Sequence, residues 1–87
     1  MPPTIEWRAV ERRADEAMEE MERREAMMTA IRELPAIDRQ VVVLHLEGLG
    51  HPEIEEISGL TQNAIATRLS RIRARLSEAV RRQEERR

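Results

Sequence analysis

The sequence predicts an all-α fold, in which a long N-terminal helix precedes a helix-turn-helix domain of three or four helices. Three observations predict it. Apolar residues recur every three or four positions, which places them on one side of a helix. The 87 residues include one aromatic residue and three glycines, whereas strands favour aromatic and β-branched residues in alternation. A glycine turn at Ser58-Gly59-Leu60 separates two helical stretches, as in a helix-turn-helix.

The chain length allows one domain with an appendage. We predict an N-terminal helical extension over residues 1–33, a helix-turn-helix domain over residues 34–82, and a frayed tail over residues 83–87. Charge is unevenly divided between the two parts of the sequence. Residues 1–57 hold 14 acidic and 7 basic side chains, whereas residues 58–87 hold 3 acidic and 8 basic ones. The basic part can therefore approach a phosphate backbone.

The extension predicts one helix, for which Thr4 is a candidate N-cap. Neither glycine nor proline occurs from Ile5 to Glu33. A narrow stripe at near-heptad spacing consists of Val10, Ala14, Ala17, Met21, Met28 and Ile31. Because such a stripe stabilises a lone helix poorly in water, it should pack on the rest of the chain, on a second copy or on another protein.

The middle of the chain predicts two further helices. Pro35 ends the first helix, because proline disfavours helical geometry in the preceding residue. A core helix should cover residues 36–47, with the apolar set Ile37, Val41, Val42, Leu44 and Leu46. Gly48-Leu49-Gly50 should end it, because glycine is free to take the left-handed C-cap conformation. Pro52 suits the first turn of a short helix that ends near Ser58, with Ile54 and Ile57 on one side.

The last helix should begin after an N-cap at Thr61 and end near Arg82. Gly59 takes the preceding turn, and Leu60 enters the core. The stripe behind the helix consists of Ile65, Leu69, Ile72 and Leu76.

The opposite side of the last helix is polar. Its candidate DNA-binding residues are Thr61, Gln62, Asn63, Thr67, Arg68, Arg71 and Arg75. Gln and Asn amides donate and accept together, as adenine requires. Arginine binds phosphate and guanine with two N–H groups, and a helix N-terminus attracts phosphate. Two other interpretations stay open, a first-turn cap without base contact and a solvated basic side.

Catalysis and metal binding are not expected. Cysteine is absent, which excludes disulfides and thiolate metal sites. His45 and His51 lack the spacing of metal ligands, and the adjacent Glu55 and Glu56 point in different directions. We find no nucleophile with a base, and we expect no cofactor. Neither a membrane span nor a signal peptide is visible, which predicts a cytoplasmic protein without a membrane partner.

The segment LPAIDRQVVVLHLEGLGHPEIEEISGLTQNAIATRLSRIRARLSEAV, residues 34–80, resembles region 4 of bacterial sigma-70-family factors, most closely the extracytoplasmic-function group. The shared features are a Leu-Pro pair, an aliphatic run, a Glu-Gly-Leu turn, a Glu-Ile helix, and a last helix with alternating arginines. The ordered set matches without a gap.

This resemblance implies a sigma-factor domain that recognises the promoter −35 element in the major groove. It also implies contact with the flap of the RNA polymerase β subunit, and masking by an anti-sigma protein. Thr61, Gln62 and Asn63 would lie at the groove-entering end, with Thr67, Arg68 and Arg71 facing DNA. The helix between Pro35 and Leu49, together with the short helix, would face the polymerase.

The chain departs from the family pattern at several positions. Ala66 stands where a lysine is frequent, Gln62-Asn63-Ala64 replaces a Glu-Gly-Thr start, and His51 replaces a serine or tyrosine. The family's region 2 has no counterpart in residues 1–33. Both an excised C-terminal domain and a stand-alone regulator stay open.

Two alternatives remain beside the DNA-binding interpretation. A sigma-like domain could serve chiefly to bind an anti-sigma factor or another regulator, with DNA binding secondary. A helix-turn-helix regulator of another kind could form a homodimer through the N-terminal helix. Ala66 and the acidic first 57 residues favour the protein-interaction alternative.

Overall fold

A computed structural model of the protein describes residues 7–86, with side chains from residue 12 onward. The helices are α1 (Trp7–Arg32), α2 (Ala36–Leu46), α3 (His51–Ser58) and α4 (Gln62–Glu85). No strand occurs in this range, and the prediction of an all-α fold with a long N-terminal helix is confirmed. The predicted N-cap Thr4, the side chain of Val10 and the terminal Arg87 lie outside the described residues.

Glycines end the two central helices as predicted. Gly48 follows α2 with a φ of 95°, and Gly59 ends α3 with a φ of 77°. Both values lie in the left-handed region, which glycine adopts without a Cβ penalty. After Gly59, the backbone N–H of Leu60 donates to the Ser58 hydroxyl at 3.2 Å. These contacts set the sharp turn between α3 and α4.

A first buried cluster holds the helix-turn-helix together. Its members are Val41, Ile54, Ile65 and Leu69, with Leu44, Leu49 and Leu60 packed around them. They come from α2, α3 and α4 and from the two turns between these helices. The predicted stripe behind α4 therefore faces the core, and burial of its side chains is what fixes α4 in orientation.

A second buried cluster attaches the end of α1 to this domain. Ile31, Leu34, Val42 and Ile72 are buried together, and Met27 and Leu76 pack against them. Ile31 belongs to α1 and Leu34 to the turn after it. The core thus begins before the predicted domain boundary between residues 33 and 34.

Most described members of the predicted stripe on α1 do not pack on the rest of the chain. Met21 is 63% exposed and Met28 is 42% exposed, and Ala14 and Ala17 are also exposed. Ile31 fixes the rotation of α1 by entering the second cluster. That rotation turns Met27 toward the protein and leaves Met18, Met21 and Met28 facing solvent.

Two apolar residues outside α1 also differ from expectation. Ile57 is 53% exposed and Leu46 is 58% exposed. Ile57 lies three positions after the fully buried Ile54, and only the side of α3 that carries Ile54 faces the core. Leu46 ends α2 beside an open groove. Neither residue is therefore a core residue.

Helix α4 continues to Glu85, three residues beyond the predicted end. Arg81 forms ion pairs with Glu78 at 2.7 Å and with Glu85 at 3.0 Å. The Gln83 side chain donates to Glu22 of α1 at 3.3 Å. Because these contacts hold the last turns, residues 83–85 are helical.

The paired helices make the molecule long and thin, with extents of 65 × 28 × 17 Å. The second half of α4 packs along α1, while its first half belongs to the helix-turn-helix. The first half of α4 is therefore the part of this helix that α1 leaves uncovered.

Among residues 7–86, no helix is apolar over the length that a bilayer crossing needs.

Candidate nucleic-acid interface

The N-terminus of α4 is held by two side chains. The hydroxyl oxygen of Thr61 accepts from the backbone N–H of Ala64 at 3.1 Å, which confirms Thr61 as the N-cap. From α3, Oε2 of Glu55 accepts from the backbone N–H of Gln62 at 3.0 Å. A helix begins with four N–H groups that lack partners in the helix. Two of them are therefore already satisfied by the protein.

The side chains that follow the cap point into solvent. Gln62, Asn63 and Thr67 are exposed, and within residues 12–86 the side-chain amides of Gln62 and Asn63 make no recorded hydrogen bond. The Thr67 hydroxyl donates to the Asn63 carbonyl at 3.0 Å. The two amides are thus free to meet base edges, whereas the hydroxyl proton of Thr67 is engaged with its own helix.

Arginines continue this exposed side along α4. Arg71 and Arg75 follow Thr67 at intervals of four positions, so they lie on adjoining turns. Both are exposed, and in the described part of the chain no ion pair of either is recorded. Their guanidinium groups can reach a phosphate without first losing a protein partner.

Arg68 lies differently from the other predicted DNA-binding residues. Its Nη1 donates to Oδ1 of Asp38 at 2.7 Å. The Arg68 side chain is 34% exposed and that of Asp38 is 20% exposed. The pair joins α4 to the first turn of α2, at the edge of the exposed side. The structure thus places Thr61, Gln62, Asn63, Thr67, Arg71 and Arg75 together on the surface and turns Arg68 partly inward.

Asp38 and Glu55 were not singled out from the sequence. Asp38 lies 30 positions from Arg68, and no local spacing links the two residues. For Glu55 the sequence gives a weak indication, because an acidic residue seven positions before the second helix of a helix-turn-helix can reach the N-terminus of that helix. Both acidic side chains became recognisable only through the packing of α2 and α3 on α4.

An apolar groove of about 620 Å³ opens on another side of α4. Its walls come from α2, α4 and Met27 of α1. The apolar lining consists of Val42, Leu46, Leu69, Ile72, Leu76 and Val80, and the polar rim of His45, Arg73, Ser77, Arg81 and Glu84. Arg73 therefore belongs to this apolar groove. Within residues 12–86, no three His, Asp or Glu side chains converge as metal ligands would.

Comparison with known proteins identifies one family. The family model described as Sigma-70, region 4 matches residues 24–76, which is more than half of the chain. The match begins inside α1, upstream of Ile31, and ends in α4 at Leu76, so it includes both buried clusters. A search of curated proteins and a search of solved structures each found no match.

Proposed function

Because the chain belongs to the sigma-70 region 4 family, a DNA-binding family of transcription initiation that is not enzymatic, we propose that it recognises a promoter −35 element through α4. In this proposal the chain is the C-terminal domain of a sigma factor of the extracytoplasmic-function group. The observation that carries it is the exposed row of Asn63, Thr67, Arg71 and Arg75, which has a buried apolar stripe directly behind it.

The proposed contacts follow from the chemistry of each side chain. Gln62 and Asn63 enter the major groove first and read base edges with their amides. Thr61 donates its hydroxyl proton to a phosphate while its oxygen caps the helix. Arg71 and Arg75 bind phosphates further along the backbone, and these contacts position the helix without reading sequence. Arg68 contributes less, because Asp38 already holds one of its nitrogens.

We further propose that α2 and the apolar groove face a protein. Val43 and Leu46 are exposed on α2, and large apolar residues in a row on a small surface favour protein contact. The family points to the β flap of RNA polymerase as this partner, with an anti-sigma factor as a competitor for the same side. A domain that acts mainly as a protein-interaction module would use this side and not the exposed row of Asn63, Thr67, Arg71 and Arg75.

The DNA-binding proposal is tested by charge removal on α4. Fluorescence anisotropy with a duplex of random sequence, at several salt concentrations, should show weaker binding by Arg71→Ala than by wild type. The slope of log affinity against log salt should fall by about 0.9, since one phosphate contact is lost. Arg13→Ala is the matched control, because this exposed arginine lies on α1, and it should bind like wild type.

Base reading is tested by recovering and sequencing the duplexes that the protein binds from a pool of sequences, with anisotropy for the salt slope. Gln62→Ala should change which sequences are enriched and leave the salt slope as in wild type. Equal binding by wild type, Arg71→Ala and Arg13→Ala would count against DNA contact by α4. If wild type in that case binds the β flap and Leu46→Glu does not, the result would favour the protein-interaction function.

A further inference from the structure

One ion pair ties the proposed DNA-binding helix to the rest of the domain. Arg68 on α4 and Asp38 on α2 meet at 2.7 Å, and both side chains are partly shielded from solvent. The other ion pairs recorded in the described part of the chain join residues three or four positions apart on one helix. The Asp38–Arg68 pair is therefore the cross-helix one among them, and it lies at the edge of the exposed side of α4.

The guanidinium of Arg68 is occupied on one nitrogen. An arginine side chain has five N–H donors, and the bond from Nη1 to Asp38 is its one hydrogen bond recorded within residues 12–86. Phosphate binds guanidinium best through two parallel N–H groups. A phosphate that approaches Arg68 through Nη1 must therefore displace the Asp38 carboxylate or share the nitrogen with it.

We propose that Asp38 competes with DNA phosphate for the Arg68 guanidinium and thereby limits the sequence-independent affinity of the domain for DNA. The inference rests on the proposed DNA-binding function of α4. A carboxylate and a phosphate are alternative anions for the same donor, and the carboxylate is built into the fold at hydrogen-bonding distance. Gln62 and Asn63 make no recorded contact with this pair, so Asp38 acts on backbone binding and not on base reading.

The test compares Asp38→Asn with wild type on a 20-base-pair duplex of random sequence, by anisotropy over a series of salt concentrations. The amide keeps the shape and an acceptor oxygen and removes the charge. Asp38→Asn should bind about two- to fivefold more tightly at low salt, the range that a partly exposed ion pair contributes. Its salt slope should steepen by up to about 0.9, as expected when one arginine becomes available to phosphate.

Two matched comparisons separate competition from a general charge effect. Glu56→Gln makes the same charge change at an exposed residue of α3 without a recorded ion pair, and it should leave the salt slope as in wild type. In an Arg68→Gln background, Asp38→Asn should no longer steepen the slope or tighten binding beyond the Glu56→Gln level. Affinities are referred to the folded fraction, measured by circular dichroism for each variant.

Several results would overturn the inference. Asp38→Asn could bind no better than Glu56→Gln, or more weakly than wild type, which would make Asp38 a residue that positions Arg68 toward DNA. Persistence of the full effect without Arg68 would also overturn it. If wild type binds duplex through Arg71 while Asp38→Asn changes nothing, the competition fails and the proposed function stands. If neither wild type nor any variant binds the duplex, both the competition and the proposed DNA-binding function fail.

Discussion

At the start of α4, two side-chain oxygen atoms bind the first turn of the proposed DNA-binding helix. The Thr61 hydroxyl and the Glu55 carboxylate each satisfy one backbone N–H of the first turn. Glu55 also brings a negative charge to the end of the helix that carries a partial positive charge. The helix start is therefore fixed from α3, and the amides of Gln62 and Asn63 project from a rigid base.

The turn before α4 offers a direct comparison of two glycines. Gly59 has a φ of 77°, and an added Cβ would meet nothing within 4 Å, so Gly59→Ala should be strained by its backbone alone. We expect Gly59→Ala to lower the free energy of unfolding by about 1 kcal/mol, the cost of a left-handed residue with a side chain. Urea denaturation monitored by circular dichroism measures this change.

Gly50 is the control for that substitution. Its φ is −80°, and its added Cβ would lie 3.7 Å from Cδ of Pro52, an ordinary contact. Gly50→Ala should change the free energy of unfolding by less than about 0.5 kcal/mol, because the gain from a less flexible unfolded chain is opposed by the poorer N-cap that alanine gives α3. A Gly50→Ala variant that loses as much stability as Gly59→Ala would show that the turn conformation is not the cause.

At this scale, the sequence predicted those residues whose role depends on near neighbours. The Thr61 cap, the left-handed glycine after α2 and the turn at Gly59 follow from spacing along the chain, and the structure confirms them. The position of Arg68 could not be predicted, because its partner Asp38 reaches it only after α2 packs on α4.

Helix α4 has two parts with different neighbours. Its first half is backed by the core and exposed on the other side, while its second half packs along α1. In the second half, hydrogen bonds from Arg81 lower the pKa of Glu78, with the charges of Arg81 and Arg82 acting in the same direction. Desolvation of Glu78 opposes this shift. The last turns of α4 are therefore held by interactions that depend on pH.

A pKa that is lowered in the folded state has a defined effect on how stability changes with pH. The stabilisation by Glu78 is present above the ordinary carboxyl pKa of 4.5 and is lost as the pH falls through the lower folded-state value. We expect Glu78→Gln to be less stable than wild type at pH 7 and closer to wild type at pH 3, as measured by urea denaturation. Glu84→Gln, at an exposed residue without a recorded ion pair, should show little such pH dependence.

The prediction for Glu78 fails if the difference between Glu78→Gln and wild type is the same at both pH values. It also fails if Glu84→Gln behaves in the same way as Glu78→Gln, because a general charge effect would then explain both.

The elements themselves were predicted well where one apolar stripe dominates. In α4, Ile65, Leu69 and Ile72 are buried as expected. In α1, methionines and alanines occur on several sides of the helix, so periodicity could not select the side that packs. The positions of Ile31 and Met27 in the second cluster show which side packs. Similarly, α4 extends past Arg82 because ion pairs and α1 hold residues that have little apolar surface to bury.

Across the whole molecule, two buried clusters hold the four helices together. The first cluster joins α2, α3 and α4, and the second joins the end of α1 to α2 and α4. The family match begins at residue 24, inside α1 and ahead of Ile31. The last two turns of α1 therefore belong structurally to the domain that presents α4.

This arrangement predicts different costs for two apolar residues of α1. Ile31 is 3% exposed, whereas Met28 is 42% exposed. Ile31→Ala should lower the free energy of unfolding by about 2–4 kcal/mol through lost burial and a residual cavity. Met28→Ala should cost less than about 1 kcal/mol. Chemical denaturation of both variants checks the difference, and equal costs would mean that α1 packs through its methionine side.

The most direct measurement of the central claim is a map of where duplex DNA contacts the protein. In a titration of isotope-labelled protein with a duplex, followed by backbone amide resonances, the largest shifts should fall on residues 61–75. Amides of residues 12–28 in α1 should stay unchanged, because that part of the helix lies along the far half of α4. Shifts concentrated on α1, or on α2 and residues 76–84 beside the apolar groove, with Asn63, Thr67, Arg71 and Arg75 unaffected, would contradict DNA binding by α4.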